Sequence, residues 1–196
     1  RSREQRPPSW NPVSQVALVS PQADWLAFQV GREFRIWQVA ENRWPDFAQN
    51  YDGRFVGALA TSPDGQTLAV AVRRDRVDLV DINTGETKTT WSVRHKVPFG
   101  VQFSADGQSL ALGLGGHVAV HAVDSGERLA QFEEPGLPFL KVAISPNGRF
   151  VAAASLGERV WLWDISEKIQ LPLLEIGGPI QQLEFAPDGD RLAVLS

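Results

Sequence analysis

The sequence lacks cysteine and methionine, and it contains one tyrosine and three histidines in 196 residues. Without cysteine, the chain forms no disulfide, no thiolate metal site and no thiol nucleophile. It has no run of about eighteen apolar residues, so no segment is predicted to cross a membrane as a helix. Because residue 1 is arginine and no signal-peptide pattern follows, we expect a processed product or a fragment of a longer protein.

The charge balance is mildly acidic, with 19 Lys and Arg against 23 Asp and Glu and a formal net charge of −4. This balance gives no overall reason to expect binding to nucleic acid or to an anionic membrane. Hydrophobic residues make up 43% of the chain, which is ample for a packed core. We therefore expect a folded protein with neither nucleic acid nor membrane as its partner.

One four-residue turn motif recurs along the chain with nearly constant spacing. Its copies start 42, 42, 41 and 41 residues apart, and the first copy is degenerate. They read Ser20-Pro21-Gln22-Ala23, Ser62-Pro63-Asp64-Gly65, Ser104-Ala105-Asp106-Gly107, Ser145-Pro146-Asn147-Gly148 and Ala186-Pro187-Asp188-Gly189. Proline presets φ and Asp-Gly tolerates a tight reversal, so each copy predicts a hairpin connection. A fixed period near forty indicates a repeat architecture.

The clearest unit begins near Phe55 and is predicted to contain four short strands. Their predicted bounds are 56–60, 68–72, 77–81 and 87–93, and turn sequences separate them. The second strand is almost entirely apolar, as expected for a strand covered on both faces. Four strands per period, with no helical pattern between them, predict an all-β fold of four-stranded antiparallel propeller blades. An immunoglobulin-type sandwich would not repeat one turn five times.

The segment Val160-Trp161-Leu162-Trp163-Asp164 follows such a turn and an apolar second strand, and it resembles a WD-repeat. The resemblance extends over about residues 13 to 196. It implies a ring of seven blades, or roughly 290 residues. The Trp-Asp pair of the family varies here: the four positions read Trp37-Gln38, Val80-Asp81, His121-Ala122 and Trp163-Asp164. No complete polar tetrad of the family can be assembled, so we expect the blades to depend on apolar packing.

The phase of the motif divides the chain into repeats 13–54, 55–96, 97–138 and 139–178, with an incomplete repeat 179–196. We favour a fragment of a larger ring, with the rest of the propeller supplied by the same or another chain. Closure as five blades and assembly of two half-rings remain alternatives. Residues 1–12, which are polar and contain Pro7, Pro8 and Pro12, are interpreted as a linker or N-terminal extension.

Alternating strand direction sorts the connections to two ends of the blades. Turns between second and third strands share one end with the connections between blades, and the basic residues concentrate there. The partner-binding candidates are Arg54, Arg73, Arg74, Arg76, Arg94, His95 and Lys96, with Arg32 and Arg159 nearby. The other end receives Asp64, Glu86, Asp106, Glu127 and Asp188. Arginine binds carboxylate and phosphate bidentately, so an acidic or phosphorylated protein segment is the predicted partner.

The predicted function is a non-catalytic protein-protein interaction scaffold within a larger signalling or regulatory protein. No catalytic, cofactor-binding or metal-binding residues are predicted, and no cofactor is expected. The alternative is a propeller enzyme or small-ligand-binding propeller of the quinoprotein or hydrolase type. A cytoplasmic location is expected, with a periplasmic or secreted one left open.

Several conspicuous residues are predicted to be structural. His117 and His121 would lie about 13 Å apart along a strand, at about 3.3 Å per residue, which is too far for one metal ion. Gly113, Gly115 and Gly116 are interpreted as a turn, because a phosphate loop would need a following helix. Trp37 and Trp163 match positions between blades. Trp10, Trp44 and Trp91 are expected near outer strands, where they could be half exposed.

Overall fold

The computed structural model describes residues 15–30, 33–42, 51, 56–72, 76–93 and 98–196. Within these residues seventeen β-strands form five antiparallel sheets that follow one another along the chain. We number these sheets as blades 1 to 5. No helix in the described residues has the length and apolar character needed to cross a membrane.

The strands are short and are assigned to the blades in chain order. Blade 1 contains β1 (Gln15–Val19), β2 (Trp25–Val30) and β3 (Glu33–Gln38). Blade 2 contains β4 (Val56–Thr61), β5 (Thr67–Val72), β6 (Arg76–Asp81) and β7 (Thr87–Ser92). Blade 3 contains β8 (Gly100–Phe103), β9 (Ser109–Ala122) and β10 (Arg128–Pro138). The four strands predicted for the second unit therefore agree with blade 2 to within one residue.

The two remaining blades differ in how many strands are described. Blade 4 contains β11 (Lys141–Ile144), β12 (Phe150–Ala154), β13 (Arg159–Asp164), β14 (Ile169–Gln170) and β15 (Leu174–Glu175). Its outer strand is divided, because β14 and β15 both pair with β13. Blade 5 contains β16 (Gln182–Phe185) and β17 (Leu192–Leu195).

The first strand of each blade lies innermost. Strands β1, β4, β8, β11 and β16 form a series in which each contacts the next. Successive sheets therefore pack side by side around a common centre, which is the arrangement of a β-propeller. The structure confirms the predicted all-β fold of propeller blades, here as a partial ring.

The core is divided into apolar layers between neighbouring blades. Strand β5 shows how one strand serves two layers: Leu68 and Val70 face blade 1, whereas Ala69 and Ala71 face blade 3, and all four are fully buried. Side chains alternate between the two faces of a strand, so an unbroken apolar run covers both. Burying a leucine or valine side chain contributes about 1.5–3 kcal/mol.

Tryptophans and phenylalanines fill the layer between blades 3 and 4. Trp163 is 2% exposed, and its indole stacks on the ring of Phe132 with centroids 5.3 Å apart. Phe139 meets both Trp161 and Trp163 edge to face, with centroids 5.4 and 5.8 Å apart. The predicted position of Trp163 between blades is confirmed. Trp37 is half-buried, and Trp10 and Trp44 lie outside the described residues.

The recurring motif forms the same turn in every described blade. In blade 2 the Gly65 amide donates to the Ser62 carbonyl at 2.9 Å, and the Asp64 carboxylate accepts from Ser62 Oγ and the Gln66 amide. The glycine has φ of +73°, a left-handed conformation that glycine adopts without a Cβ clash. In the degenerate copy, Ala23 occupies this position with φ of +57°. The geometry thus persists where the sequence has drifted.

Candidate functional site

The blades have two distinct ends, which we call the turn face and the loop face. The turn face carries the first-to-second and third-to-fourth strand turns. Backbone hydrogen bonds join these turns, from the Ile82 amide to the Gln66 carbonyl at 3.0 Å and from the Ile165 amide to the Arg149 carbonyl at 2.7 Å. The loop face is the opposite end, with the second-to-third turns and the connections between blades.

The turn face carries five exposed carboxylates at the places that the sequence predicted. They are Asp64, Glu86, Asp106, Glu127 and Asp188. Cations that sequence reasoning did not assign to this face are also present, and three of them pair with turn aspartates. These pairs are Lys88 with Asp81 at 3.2 Å, Arg149 with Asp164 at 2.9 Å and Arg191 with Asp188 at 2.7 Å.

Among the three aspartates in these ion pairs, the ionised form of Asp164 is the most strongly stabilised. Its Oδ1 accepts from the Ser166 hydroxyl and the amides of Ser166 and Glu167, and its Oδ2 accepts from the Arg149 guanidinium. These donors, the Ser166 hydroxyl first, lower the pKa of Asp164 to about 2. Asp81 binds the equivalent turn in blade 2, where the Asn83 and Thr84 amides donate to its Oδ1. These aspartates therefore hold a turn together.

Of the seven partner-binding candidates, the described residues include Arg76 alone. Arg54, Arg73, Arg74, Arg94, His95 and Lys96 lie outside the described residues. Arg76 begins β6, and its register pairs it with Val72 of β5 and with Ser92 of β7. The segments 73–75 and 94–97 therefore both connect to strands that end at this edge of blade 2.

The guanidinium of Arg76 already has a partner within blade 2. Its Nε lies 2.9 Å from the carboxylate of Asp78, which is 2% exposed. The same carboxylate accepts hydrogen bonds from Tyr51 Oη at 2.9 Å and from Thr90 Oγ1 at 2.8 Å. Burial, followed by the charge of Asp78, raises the pKa of the Tyr51 phenol. This network fixes Arg76 to the blade and joins Tyr51 to β6.

Sequence reasoning missed this network, although a signal was present. Asp78 is a carboxylate in the middle of the third strand, with Val77 and Leu79 on either side. A buried carboxylate requires hydrogen-bonding partners, because desolvation of an unpaired charge is costly. The position could therefore have been identified as a polar site. Tyr51, the only tyrosine in the sequence, gave no comparable indication of its role.

Arg159, at the loop face of blade 4, also has a partner. Its Nε lies 3.5 Å from the carboxylate of Glu175, and both side chains are mostly exposed. Glu158 is exposed beside it. An exposed pair of this kind contributes at most about 1 kcal/mol to stability, so Arg159 stays accessible to solvent and to a competing anion.

An open groove of about 490 Å³ lies at the centre, along the inner strands of blades 2 to 5. Its lining is mainly apolar or glycine, with Gln181 and Gln182 as polar contributions. Lys141 is the one charged residue in the lining that the structure describes. The lining of this groove does not test whether the protein is non-catalytic, so that expectation stays a prediction.

The two histidines predicted to be structural lie beside the contact between blades 2 and 3. His121 stacks on Trp91, and its Nδ1 lies 3.0 Å from the Gly126 carbonyl oxygen. Desolvation by burial lowers the pKa of His121. His117 is 5% exposed, and Trp91 is 7% exposed rather than half exposed. Within the described residues, no cluster of three or more His, Asp or Glu side chains could hold a metal ion.

The glycine-rich turn of blade 3 differs in detail from its prediction. Gly113 lies inside β9 and pairs with Gly100 of β8. A Cβ at Gly113 would stand 2.6 Å from the carbonyl oxygen of Phe139, so close packing against the next segment requires glycine there. The chain reverses within β9 near Gly115 and Gly116, where Gly116 has φ of +83°, and the Val123 amide beyond one end donates to the Gln108 carbonyl beyond the other at 2.9 Å. The turn therefore contains two of the three glycines. The first half of β9 is the second strand of blade 3 and its second half, which contains His121, is the third.

Comparisons with known proteins agree with this architecture. The family model described as the anaphase-promoting complex subunit 4 WD40 domain matches residues 9–104. The model of the WD domain, G-beta repeat, matches residues 126–164. The two matched stretches together cover more than half of the chain and share the same repeat type.

Two curated relatives are WD repeat-containing proteins. An uncharacterized one from Synechocystis sp. is 31% identical over 140 residues, which are 69% of this chain and 40% of the relative. Another, from Schistosoma mansoni, is 25% identical over 144 residues, which are 71% of this chain and 46% of the relative. The chain thus spans less than half the length of either relative.

A solved structure shares the fold at lower sequence identity. Kuenenia stuttgartiensis hydrazine synthase superposes with a TM-score of 0.67 over 90% of this chain and 53% of that chain, at 21% identity. Similarity at this level of identity shows the fold alone. The sequence matches are what define the family, and on them the chain belongs to the WD-repeat β-propeller family.

Proposed function

We propose that the chain is a non-catalytic protein-binding module whose loop face captures an acidic or phosphorylated segment of a partner protein. WD-repeat domains generally mediate protein-protein interaction, and the family membership supports that broad role. The basic loop face is the finer part of the proposal.

The observation that supports the loop face as the binding surface is the strand register of blade 2. Val72, Arg76 and Ser92 are directly paired neighbours at one edge of the sheet. The segments that continue from this edge contain Arg73, Arg74, Arg94, His95 and Lys96. Five basic residues thus belong to two connections attached to the same edge. Guanidinium groups bind carboxylate and phosphate through paired hydrogen bonds, so such a group of residues suits an anionic segment.

Arg76 itself is better regarded as a support for this surface than as a contact. Its bond to the buried Asp78 would have to break before its Nε could bind a ligand. Reversing the charge at Arg76 would also place two carboxylates together and weaken the blade. The informative variant is therefore Arg73→Glu with Arg74→Glu, in which Arg76 is unchanged.

The test measures binding of a labelled, blocked peptide in which two phosphoserines lie among glutamates, by fluorescence anisotropy. The unchanged chain should bind it, and affinity should decrease as salt screens the charges. The Arg73→Glu/Arg74→Glu variant should bind at least tenfold more weakly. Arg191→Glu is the matched control, because Arg191 is 78% exposed on the turn face. Equal binding by the double variant and the unchanged chain would refute the loop-face proposal.

A further inference from the structure

Strand β10 of blade 3 is unusual among the outer strands of the described blades. It spans eleven residues, Arg128–Pro138, whereas β7 of blade 2 spans six. In blade 4 the outer strand is divided into two pieces of two residues, and Pro172 lies between them. Within the described residues, β10 pairs with β9 and with no strand on its other side.

An unpaired strand edge can accept another strand. Alternate residues of an edge strand direct their N–H and C=O groups outwards, where an extended chain can bind them. Proteins usually protect such edges by shortening them, by interrupting them with proline or by placing lysine on them. Blade 4 has the interruption and blade 2 has Lys88. In β10 the register with β9 shifts between Arg128 and Ala130, and Pro135 and Pro138 follow near its end, but residues 130–133 form a segment in continuous register with β9.

A groove of about 310 Å³ follows this edge. Five consecutive residues of β10, Arg128 to Phe132, line one side of it, and Lys168 of the adjoining turn in blade 4 lines the other. The groove runs along the backbone of one strand, so its shape suits an extended segment. Leu129, which is 40% exposed, provides an apolar contact within it.

The charged residues of the groove are both basic. Arg128 and Lys168 are exposed, and within the described residues Lys168 makes no ion pair. Arg128 Nη1 donates to Gln131 Oε1 at 2.6 Å, which uses one of the five guanidinium N–H donors. The amide of Gln131 in turn donates to Glu133 Oε1 at 2.9 Å, so an acid lies at the far end. The basic end of the edge is therefore the one that Arg128 and Lys168 flank.

We propose that the outer edge of β10 is a second docking surface, which binds an extended acidic segment of a partner protein by β-strand addition. The main chain of the segment pairs with residues 130–133, and its carboxylates lie near Arg128 and Lys168. Main-chain hydrogen bonds supply affinity in this mode of recognition, and the flanking charges select acidic sequences. This surface is separate from the loop face and does not depend on it.

The test uses amide NMR on the isotope-labelled 196-residue chain with a blocked hexapeptide of alternating valine and glutamate. Binding should shift the amide signals of residues 130–133 and slow their hydrogen exchange. The peptide N-methylated at every second residue should not bind, because it lacks the donors for strand pairing. The peptide with lysine in place of glutamate should bind at least tenfold more weakly.

Charge variants complete the test and distinguish binding at the edge of β10 from binding at the loop face. Arg128→Glu with Lys168→Glu should weaken binding of the glutamate peptide at least tenfold, whereas Arg191→Glu and Arg73→Glu/Arg74→Glu should leave it unchanged. Equal binding of the N-methylated peptide, or signal changes confined to other strands, would overturn the proposal. So would concentration-dependent shifts at β10 without any peptide, since a second copy of the chain would then be the occupant.

Discussion

His121 of blade 3 stacks on Trp91 of blade 2, with ring centroids 5.4 Å apart and 17° between the ring planes. One blade further along, Trp163 stacks on Phe132 with 5.3 Å and 15°. The two pairs occupy matching positions, because each joins the third strand of one blade to the outermost strand of the preceding blade. Histidine thus replaces tryptophan in a repeated contact between blades, and it introduces a titratable group there.

The stack makes stability dependent on pH. Burial lowers the pKa of His121 below the ordinary 6.5. As the pH falls below 6.5, the unfolded chain takes up a proton that the folded chain does not, so the free energy of unfolding decreases. At pH values well above 6.5 both states are neutral at this site and the contribution vanishes. NMR titration of His121 should give a pKa below 6.5, and a value at or above it would contradict this prediction.

The variant His121→Trp should remove the pH dependence that arises at this site. It restores the aromatic pair seen between Trp163 and Phe132 and eliminates the titrating ring. Urea unfolding at pH 5.0 and 7.5 should show a smaller difference for the variant than for the unchanged chain. If the difference between the two pH values were the same in the variant and the unchanged chain, groups other than His121 would cause the loss of stability at acid pH.

Trp163→Ala should destabilise the chain by about 3–5 kcal/mol, because the indole is fully enclosed between blades 3 and 4 and its removal leaves a cavity. Trp163→Phe should cost less, since a ring remains against Phe132. The measurement is chemical unfolding followed by circular dichroism. Leu156→Ala is the control: Leu156 is 81% exposed, so the change should stay within about 0.5 kcal/mol. Similar losses for alanine at both positions would contradict the packing described for this layer.

Exchanging glycine and alanine at the last position of the recurring turn should lower stability in one copy and raise it in another. Gly107 has φ of +72° and no close contact, so Gly107→Ala should cost about 1–2 kcal/mol from backbone strain alone. Ala23 has φ of +57° at the equivalent place, so Ala23→Gly should raise the thermal midpoint. Gly157→Ala is the control, since no positive φ and no neighbour within 4 Å opposes it. A loss of stability in Ala23→Gly would contradict the shared geometry.

The network around Asp78 should show energetic coupling. Tyr51→Phe removes a hydrogen bond to a buried carboxylate and should cost about 1.5–3 kcal/mol. Asp78→Ala removes the acceptor shared by Tyr51, Arg76 and Thr90 and should cost more. The double variant should cost less than the sum of the single variants, because the same contact is lost in both. Additive costs would show that the Tyr51–Asp78 bond contributes nothing.

Most of the fold could be predicted from the sequence because its signals are local. The Ser-Pro-Asp-Gly turn specifies its own backbone, since Asp64 accepts hydrogen bonds from residues two positions away on either side. Alternation between Leu68, Ala69, Val70 and Ala71 likewise indicates a strand buried on both faces. Such signals recur every 41 or 42 residues, so a series of similar blades could be predicted from them.

The candidate sites were less accessible to sequence reasoning. Arg76 was counted with the other basic residues of its loop, but the structure binds it to Asp78. The groove along β10 depends on Lys168, which lies 40 residues beyond Arg128 in the sequence. No spacing rule predicts that these two side chains flank one strand edge, because their proximity depends on how one blade packs against the next.

The sequence by itself determined the repeat, the strands and the two ends of each blade, since turn chemistry and side-chain alternation act within a few residues. Only the tertiary structure decided which side chains meet between blades. Tyr51 and Asp78 are 27 residues apart, and His121 meets Trp91 from a different sheet. These contacts depend on the rotation and spacing of neighbouring sheets, which arise from packing of the apolar layers between them.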